Sequence, residues 1–287
     1  MPELPEVETI KRDLARVLPG KTIKDVEVRF GKFFNCTAEH FCRQIKRKKV
    51  LRLWRRAKVL GVDLAGGLSL LFHFKMTGQL VFKPNHGKII MGGHPIEGVG
   101  YDLPNKFTHV IFHFTDGAAL FFNDVRKFGW IRLFRTSGVR SQMSELGPEP
   151  LDRSFTVEVF KKILTRRPKA RIKQVIMDQT LLVGVGNIYA DEALFMACIK
   201  PMRRVKTLKE SEQKKLWQAI RQVLKLSIKH RGTSFNSYVD GHGRKGTYWD
   251  LRKVYGRAGE SCKKCGEILK RTVVGGRGTT YCGRCQK

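Results

Sequence analysis

The sequence predicts an α+β protein of two domains, with an N-terminal helix and antiparallel β-sandwich followed by a helical domain and a small cysteine-rich module. Apolar residues recur at helical spacing over residues 5–18, which predicts the first helix. Short alternating runs then fill residues 21–135 and predict the sandwich. The helical period returns beyond a turn-rich stretch. The predicted divisions are a first domain 1–135, a linker 136–152, a helical domain 153–250 and a terminal module 251–287.

The excess of basic residues indicates what class of molecule the protein binds. The chain has 287 residues with 56 Lys+Arg against 25 Asp+Glu, a net charge of +31. A ribosomal-type or generally adhesive protein is one interpretation. The charge is spread through folded-looking sequence rather than a tail, which favours a nucleic-acid partner. No apolar run reaches about 18 residues, so we expect no membrane span, and the acidic N-terminus lacks the apolar core of a secretory signal.

Seven cysteines are an odd number. Cys36, Cys42 and Cys198 are scattered, and we interpret them as ordinary reduced thiols. Together with the absence of a secretory signal, this favours a reducing cytoplasm.

The first helix carries Val7, Ile10, Leu14 and Val17 on one face. Pro5 suits a first-turn position, and the glutamates beside it suit the positive end of the helix dipole. In the sandwich, the run LSLLFHFKM is expected to place one set of side chains on a single face, namely Leu68, Leu70, Phe72, Phe74 and Met76.

The second half reads as helices. FTVEVFKKIL and ARIKQVIMDQ each predict one, and the glycine turn GVGN opens another. The last long helix is expected to begin with a capping box formed by Thr207 and Glu210 and to stop at Gly232.

The C-terminal cysteines have metal-ligand spacing. Cys262, Cys265, Cys282 and Cys285 make C-x2-C-x16-C-x2-C. Two such knuckles complete a tetrahedral Zn²⁺ site with no open position, so the zinc is expected to be structural. Two unrelated redox pairs are the alternative. A β-hairpin is predicted between the knuckles, with Arg277 at its tip. Residues 251–287 hold ten Lys+Arg against two Glu, so the hairpin is expected to touch phosphate.

Three further stretches each allow two interpretations. Residues 43–58 hold nine basic residues and no acid. This run is either a solvated charged face or a surface that faces DNA. Within that run Lys58 precedes the apolar strand VLGVDL, which could desolvate it and depress its pKa. The GVGN turn is either a plain helix junction with Asn187 as N-cap or an anion site. Met76 and RKFG (126–129) are either core and strand end or a wedge and an arginine for a gap in a base stack.

The opening MPELPEVE places carboxylates beside the N-terminus. Removal of Met1 would expose Pro2, a secondary amine that is a nucleophile toward an aldehyde or sugar C1′ and gives a cationic iminium. Glu3 and Glu6 would then be acid and base groups within reach. Helix capping is the alternative, and it accounts for Glu6 better than for Glu3.

Together these motifs resemble the formamidopyrimidine-DNA glycosylase family, in order and over nearly the whole chain. The stretches that carry the resemblance are MPELPEVET, RRAK, HFKMTGQL, NDVRKFG, ELGPEPL, VGVGNIYADEALF and VYGRAGESCKKCG…GRGTTYCGRCQK. The resemblance implies a helix-two-turns-helix domain with a β-hairpin zinc finger. It also implies a monomeric, cytoplasmic base-excision-repair enzyme that binds damaged double-stranded DNA and associates with the nucleoid through it. Such an enzyme removes oxidised purines and then cleaves the strand by β,δ-elimination.

The resemblance also implies roles for particular residues. Pro2 is implied as the Schiff-base nucleophile, Glu3 as general acid and base with Glu6 in support, Lys58 in β-elimination and Arg277 in δ-elimination. The implied DNA contacts are His109, Arg126, Lys169 and Asn187. The residues implied to fill the space of an everted base are Met76, Arg126 and Phe128.

The sequence departs from the family pattern at two positions and leaves two rivals. Val125 stands where proline is usual, and Lys127 stands where arginine is common. One rival is an endonuclease VIII-like glycosylase for oxidised pyrimidines, which the PELPEVET opening and the long loop 237–253 disfavour. The other rival is a non-catalytic zinc-finger DNA-binding protein.

Overall fold

The computed structural model describes residues 1–93, 102–233 and 246–287. The chain forms two compact units. The first holds residues 1–144 and 230–247, and the second holds residues 145–229 and 248–287. The α+β class with a sandwich, a helical domain and a finger hairpin is confirmed. Residues 230–247 group with the first unit, although the sequence assigns them to the helical domain, and the predicted domain boundaries stay predictions.

The first unit opens with helix α1, Leu4–Leu14. Val7, Ile10 and Leu14 are fully buried on its core face, as their spacing predicts. The helix ends four residues before the predicted position. After Leu14 the backbone forms isolated turns instead of a continuous helix, and Gly20 then adopts a left-handed conformation with φ +90°. A proline follows Leu18 and disfavours helical backbone at the preceding residue, so the apolar period outlasts the helix.

Nine strands and two further helices complete the first unit among its described residues. The strands are β1 Ile23–Val28, β2 Val50–Arg56, β3 Val59–Leu64, β4 Leu68–His73, β5 Gly78–Lys83, β6 Ile90–Gly93, β7 Thr108–Phe114, β8 Ala119–Asp124 and β9 Trp130–Arg135. The helices are α2 Ala38–Ile45 and α3 Val139–Gln142. The strands form two antiparallel sheets, β2-β3-β4-β9 and β1-β7-β8-β5-β6. The main core, which includes Phe72, Phe112 and Phe122, lies between the two sheets.

The predicted alternation in LSLLFHFKM holds only in part. Leu68, Leu70 and Phe72 face the main core, but Leu71 is also buried, in a second cluster on the other face of the sheet. The strand ends at His73, and Met76 leaves the sheet with 42% of its surface exposed. Met76 is therefore on the surface and not part of the core.

The second unit is helical and ends in a hairpin. Its helices are α4 Val157–Thr165, α5 Ile172–Met177, α6 Asn187–Met196, α7 Glu210–Lys229 and α8 Tyr248–Leu251, and its strands are β10 Lys270–Val274 and β11 Arg277–Tyr281. The predicted capping box of α7 is wrong. Thr207 lies in a 3-10 turn, and the carboxylate of Glu212 accepts the Lys209 N–H at 2.8 Å. Arg203 holds Glu212 in place by a charged pair, which lies outside the local capping pattern.

Candidate active site and nucleic-acid interface

The N-terminus of the first unit holds two buried carboxylates. Pro2 is buried, and Glu3 and Glu6 are 3% and 4% exposed. Glu3 takes the N-cap position of α1, and its N–H donates to a carboxylate oxygen of Glu6 at 2.9 Å. Glu3 and Glu6 form a reciprocal capping box, so helix capping accounts for Glu3 better than the sequence predicted, and the chain end is fixed at the start of a helix.

Glu6 also fixes a distant segment of the same unit. Its carboxylate accepts the Thr233 N–H at 2.8 Å and the Thr233 hydroxyl at 3.0 Å. A Cβ on Gly232 would lie 2.8 Å from that carboxylate, so only glycine permits the approach. Most of the predicted loop 237–253 lies outside the described residues, and its role in lesion capture stays a prediction.

The β2–β3 hairpin presents Lys58. Ala57 adopts φ +55° at the turn, and Lys58 follows it with 7% of its surface exposed. Arg55 donates to the carbonyl of Ala57 at 3.0 Å and to the Glu8 carboxylate at 3.1 Å. Burial raises the pKa of Glu8, but hydrogen bonds from its basic neighbours outweigh it and lower that pKa. Glu8 thus serves to hold the hairpin against α1, and Lys58 is a buried amine, as the apolar strand after it predicts.

Most of the basic run is exposed, but its tryptophan is not. Arg43, Lys46 and Lys49 are exposed on or near α2 and β2. Trp54 is only partly exposed, donates its indole N–H to Asp63 at 2.7 Å and lies against Gly61, where a Cβ would overlap its ring. Trp54 is accordingly a packing residue of the sheet and gives no support to a DNA-facing role for the run.

Two loops of the first unit expose apolar tips. Met76 lies between β4 and β5, and Phe128 lies between β8 and β9 with 54% of its surface exposed. The guanidinium of Arg126 lies 4.7 Å from the centre of the Phe128 ring. Exposed large apolar side chains next to an arginine suit a surface that contacts bases.

His109 is oriented inward. It is 5% exposed, its ring packs on Phe30 and Phe33, and its Nε2–H donates to the carbonyl of Asp124 at 2.8 Å. Burial lowers the pKa of His109, which favours the neutral ring. Its implied contact with DNA stays a prediction.

The second unit brings the four cysteine sulfurs together. The ligand atoms of Cys262, Cys265, Cys282 and Cys285 lie within 4.8 Å of one another. The Cys265–Cys282 and Cys262–Cys285 sulfur pairs are 3.5 and 4.0 Å apart. Four thiolates around one Zn²⁺, with bonds of about 2.3 Å, would stand about 3.8 Å apart. Backbone N–H groups also donate to the sulfurs of Cys262 and Cys282. The residues fit one structural zinc ion, as predicted.

The finger hairpin is anchored on the helices of its own unit. Arg277 begins β11 after a turn in which Gly275 and Gly276 both have positive φ. Behind the strand, Lys173 and Asp191 form an ion pair at 2.7 Å with both side chains fully buried. Lys173 also donates to the Thr279 hydroxyl at 2.7 Å. The strand that carries Arg277 is therefore held by a buried charge pair that the sequence analysis did not identify.

The GVGN turn differs from its simplest prediction. Gly186 is the N-cap of α6, and Asn187 is its first helical residue. The Asn187 amide donates to the carbonyl of Gly278 at 3.0 Å, and the Gly184 N–H donates to Gln179 at 2.9 Å. Lys169 is exposed beyond α4. The implied phosphate contacts of Lys169 and Asn187 stay predictions.

Comparison with family models defines the class of protein. The formamidopyrimidine-DNA glycosylase N-terminal domain matches residues 1–131 and the family's H2TH domain matches residues 146–238. The zinc finger found in FPG and IleRS matches residues 259–287. A two-unit fold with these three modules in this order is that of a DNA glycosylase with a zinc finger.

Related proteins and solved structures support the same class of protein. The formamidopyrimidine-DNA glycosylases of Pelotomaculum thermopropionicum and Carboxydothermus hydrogenoformans are 42% and 43% identical over 100% of this chain and 99% and 100% of theirs. A complex of a Lactococcus lactis FPG mutant with Fapy-dG-containing DNA has a TM-score of 0.89 at 31% identity, covering 100% of both chains. The wild-type L. lactis protein with oxidised-pyrimidine DNA has a TM-score of 0.88 at 31% identity, again covering 100% of both chains. The chain belongs to the formamidopyrimidine-DNA glycosylase family.

Proposed function

We propose that this protein removes oxidised purines from duplex DNA through Pro2 and then cleaves the strand at the resulting site. The observation that carries the proposal is the buried carboxyl of Glu3 beside Pro2 at the start of α1. A helix that begins with an acid next to the chain end suits an N-terminal nucleophile, because the helix holds the amine of Pro2 close to the carboxyl group that transfers its proton.

The chemistry requires Met1 to be removed, so that Pro2 becomes a free secondary amine with an ordinary pKa of about 8. The Pro2 nitrogen bonds to C1′ as the bond from C1′ to the base breaks, and the base leaves with the bonding electrons. Glu3 takes up the proton that the attacking amine loses and passes it to the ring oxygen of the sugar, so the bond from C1′ to that oxygen breaks and an iminium remains at C1′. Loss of the C2′ proton then expels the 3′ phosphate, and a second elimination expels the 5′ phosphate.

The other residues are assigned by the same proposal. Lys58, a buried amine at the β2–β3 turn, assists the first elimination, and Arg277 at the finger tip assists the second. The proposed DNA contacts are His109, Arg126, Lys169 and Asn187. The residues proposed to fill the space that the everted base leaves are Met76, Arg126 and Phe128. Eversion costs a few kcal/mol, and the exposed apolar tips can offset it by stacking.

We also propose that the protein acts as a monomer in the cytoplasm, associated with the nucleoid through DNA. None of the seven cysteines forms a disulfide bond, which suits a reducing compartment. In the described ranges, no helix has the length and apolar character needed to cross a membrane. Light scattering of the purified protein at several concentrations tests the monomeric state.

Borohydride trapping on a panel of lesion duplexes tests chemistry and substrate together. An 8-oxoguanine or formamidopyrimidine duplex should give a stable adduct on the peptide that begins PELPEVE. A variant with one extra residue before Pro2 should bind DNA and give no adduct. An adduct on Lys58 would reject the assignment of Pro2. Binding without any adduct would support the non-catalytic rival.

The lesion panel also decides between the two glycosylase candidates. A specific observation keeps the second candidate in the test, since the L. lactis protein was solved with DNA containing an oxidised pyrimidine. The duplexes should therefore include an oxidised pyrimidine. Faster excision of the pyrimidine than of 8-oxoguanine would favour the endonuclease VIII-like activity.

A further inference from the structure

Two loops of the first unit carry the exposed side chains assigned above to the base stack. The Met76 loop (residues 74–77) joins β4 to β5. The Phe128 loop (residues 125–129) joins β8 to β9 and also carries Arg126. They are separated by about 50 residues in sequence, so neither loop can orient the other through the chain. Some tertiary contact must set their relative positions if they are to enter a base stack together.

That contact is the carboxylate of Asp124, which is fully buried. One of its oxygens accepts the Thr77 hydroxyl from the Met76 loop and the Arg126 N–H from the Phe128 loop, the latter at 3.2 Å. Its other oxygen accepts the Gly129 N–H at 2.7 Å, at the far end of the Phe128 loop. The Arg126 N–H also donates to the Thr77 hydroxyl oxygen at 3.0 Å. One carboxylate therefore binds both loops, and binds the Phe128 loop at both ends.

Asp124 is itself fixed by the sheet. Its N–H donates to the carbonyl of Phe107 at 3.0 Å, and its own carbonyl accepts from His109. On the neighbouring strand it is paired with Gly78. A Cβ on Gly129 would lie 3.0 Å from the carboxylate and 2.9 Å from the Phe122 ring, so glycine is needed for the loop to close around Asp124. The sheet thus holds the carboxylate, and the carboxylate holds the loops.

A neutral amide could not replace this carboxylate. A buried carboxylate is tolerated only where donors satisfy it, and Asp124 has three from the two loops. Bonds to an ionised acceptor are about twice as strong as those between neutral groups. Asparagine has the same shape, but its NH₂ group would face an N–H or O–H donor, and one of the two oxygens would be lost as an acceptor.

We propose that Asp124 is a positioning residue that locks the Met76 loop and the Phe128 loop into one rigid wedge. This inference rests on the proposed role of Met76 and Phe128 in the base stack. Asp124 would touch neither the DNA nor the reacting atoms. It would set the spacing at which the two apolar tips enter the space of the everted base, and it would remove the cost of ordering the loops during binding.

The test compares Asp124→Asn with a matched control, Asp63→Asn. Asp63 is also a buried aspartate with three donors, from Arg52, Trp54 and Ser69, but it lies in the other sheet and bonds to neither loop. Asp124→Asn should slow excision of a damaged base on the order of 10- to 100-fold. It should change cleavage of a ready-made abasic site by less than about threefold, because no base is evicted there. Asp63→Asn should change both rates by the same factor.

A second variant covers the case in which Asp124→Asn folds poorly, which thermal unfolding will show. Thr77→Val removes both bonds of the Met76 loop, the one that its hydroxyl donates to Asp124 and the one that it accepts from the Arg126 N–H. This variant should slow excision several-fold with abasic-site cleavage unchanged. Equal losses on the two substrates, in Asp124→Asn or Thr77→Val, would overturn the proposal and leave Asp124 as an ordinary structural residue.

A double-variant cycle separates this inference from the proposed function. If Asp124 acts through the wedge, the double variant Asp124→Asn/Phe128→Ala should lose less excision rate than the product of the two single-variant losses. Multiplying losses would overturn the inference. If Met76→Ala and Phe128→Ala both spare excision, the base-stack role itself fails. If those two slow excision and Asp124→Asn does not, only the positioning role fails.

Discussion

The carboxylate of Glu6 accepts the N–H of Thr233 at 2.8 Å, across 227 residues of sequence. The same carboxylate accepts the N–H of Glu3. One side chain therefore joins the helix start that carries Pro2 to the segment 230–233 of the same unit. A carboxylate occupied by several donors is suited to holding backbone in place and poorly suited to releasing and taking up a proton. Glu3 and Glu6 are both buried beside the N-terminus, and we assign the structural role to Glu6 and the proton transfer to Glu3.

Glu6→Gln should act on stability. The glutamine keeps one acceptor oxygen, but its NH₂ group would face a backbone N–H, so a buried donor loses its partner. We expect the free energy of unfolding to fall by about 1–3 kcal/mol, measured by urea denaturation. Thr233→Val, which removes only the hydroxyl, should cost less. An unchanged midpoint for Glu6→Gln would contradict the role of this contact.

Glu3→Gln should act on chemistry instead. The side chain keeps its shape and loses its proton, so lesion binding should persist while base excision falls by at least about 100-fold. Gel shift and single-turnover excision on the same duplex measure the two effects. The unfolding midpoint should stay closer to that of the wild type than it does for Glu6→Gln. Excision at the wild-type rate would remove Glu3 from the mechanism.

The elements that the sequence predicted well depend on local patterns. The C-x2-C spacing correctly predicted that the four cysteines share one site, and the apolar period of residues 5–18 correctly predicted the position of α1 to within a few residues. The features it missed depend on distant partners. Asp124 meets Thr77 across 47 residues, and Lys173 meets Thr279 across 106. No local sequence pattern identifies such a pair, except that Asp124 and Asp191 are acids in mainly apolar stretches, ALFFND and NIYADEALF.

His73 should make stability depend on pH. Burial, with the charges of Lys75 and Lys58, lowers the pKa of His73 to about 3 from 6.5. Between these values the unfolded chain binds a proton that the folded chain does not, so stability falls as pH falls below 6.5. At pH 5 the loss from this group is about 2 kcal/mol relative to pH 7.

The variant His73→Asn isolates this effect. Its side-chain oxygen can still accept the Lys75 N–H, which His73 accepts through Nδ1 at 3.0 Å. The free energy of unfolding should then change less between pH 7 and pH 5 than in the wild type. His40, an exposed histidine of α2, supplies the matched control His40→Asn. An equally steep curve for His73→Asn would show that other groups cause the pH dependence.

Zinc should be bound once per chain and should hold the finger together. Cys282→Ser removes one of four ligands, so the finger should unfold, Arg277 should lose its position and DNA binding should weaken. Metal analysis and affinity measurements check both points. Cys198→Ser, at a cysteine outside the four-sulfur cluster, should retain the metal. Freshly purified wild-type protein without zinc would refute the structural site.

Lys173→Met tests whether the buried ion pair positions Arg277. The methionine fills similar space but leaves the Asp191 carboxylate buried without its cation. Removing one partner of such a pair costs about 3–5 kcal/mol.

The same variant should also change how stability depends on pH. Burial raises the pKa of Asp191 to about 6, although the charge of Lys173 and its hydrogen bond lower it. Without Lys173 that pKa should rise further. The folded state then holds a proton that the unfolded state, with a pKa near 3.8, releases. The variant should therefore go on losing stability as pH rises above 6, where the loss from this group in the wild type levels off.

The same variant should alter the products of strand cleavage. β11 carries Arg277 and is bound by Lys173 at Thr279, so a loosened strand should misplace the arginine assigned to the second elimination. The β-elimination product should accumulate at the expense of the β,δ product, while the first cleavage proceeds at a rate closer to that of the wild type. The double variant Lys173→Met/Asp191→Leu should recover stability, because it buries no unpaired charge, but not the contact to Thr279. Its products should therefore remain shifted toward β-elimination. A wild-type product ratio in both variants would show that Arg277 does not depend on this anchor.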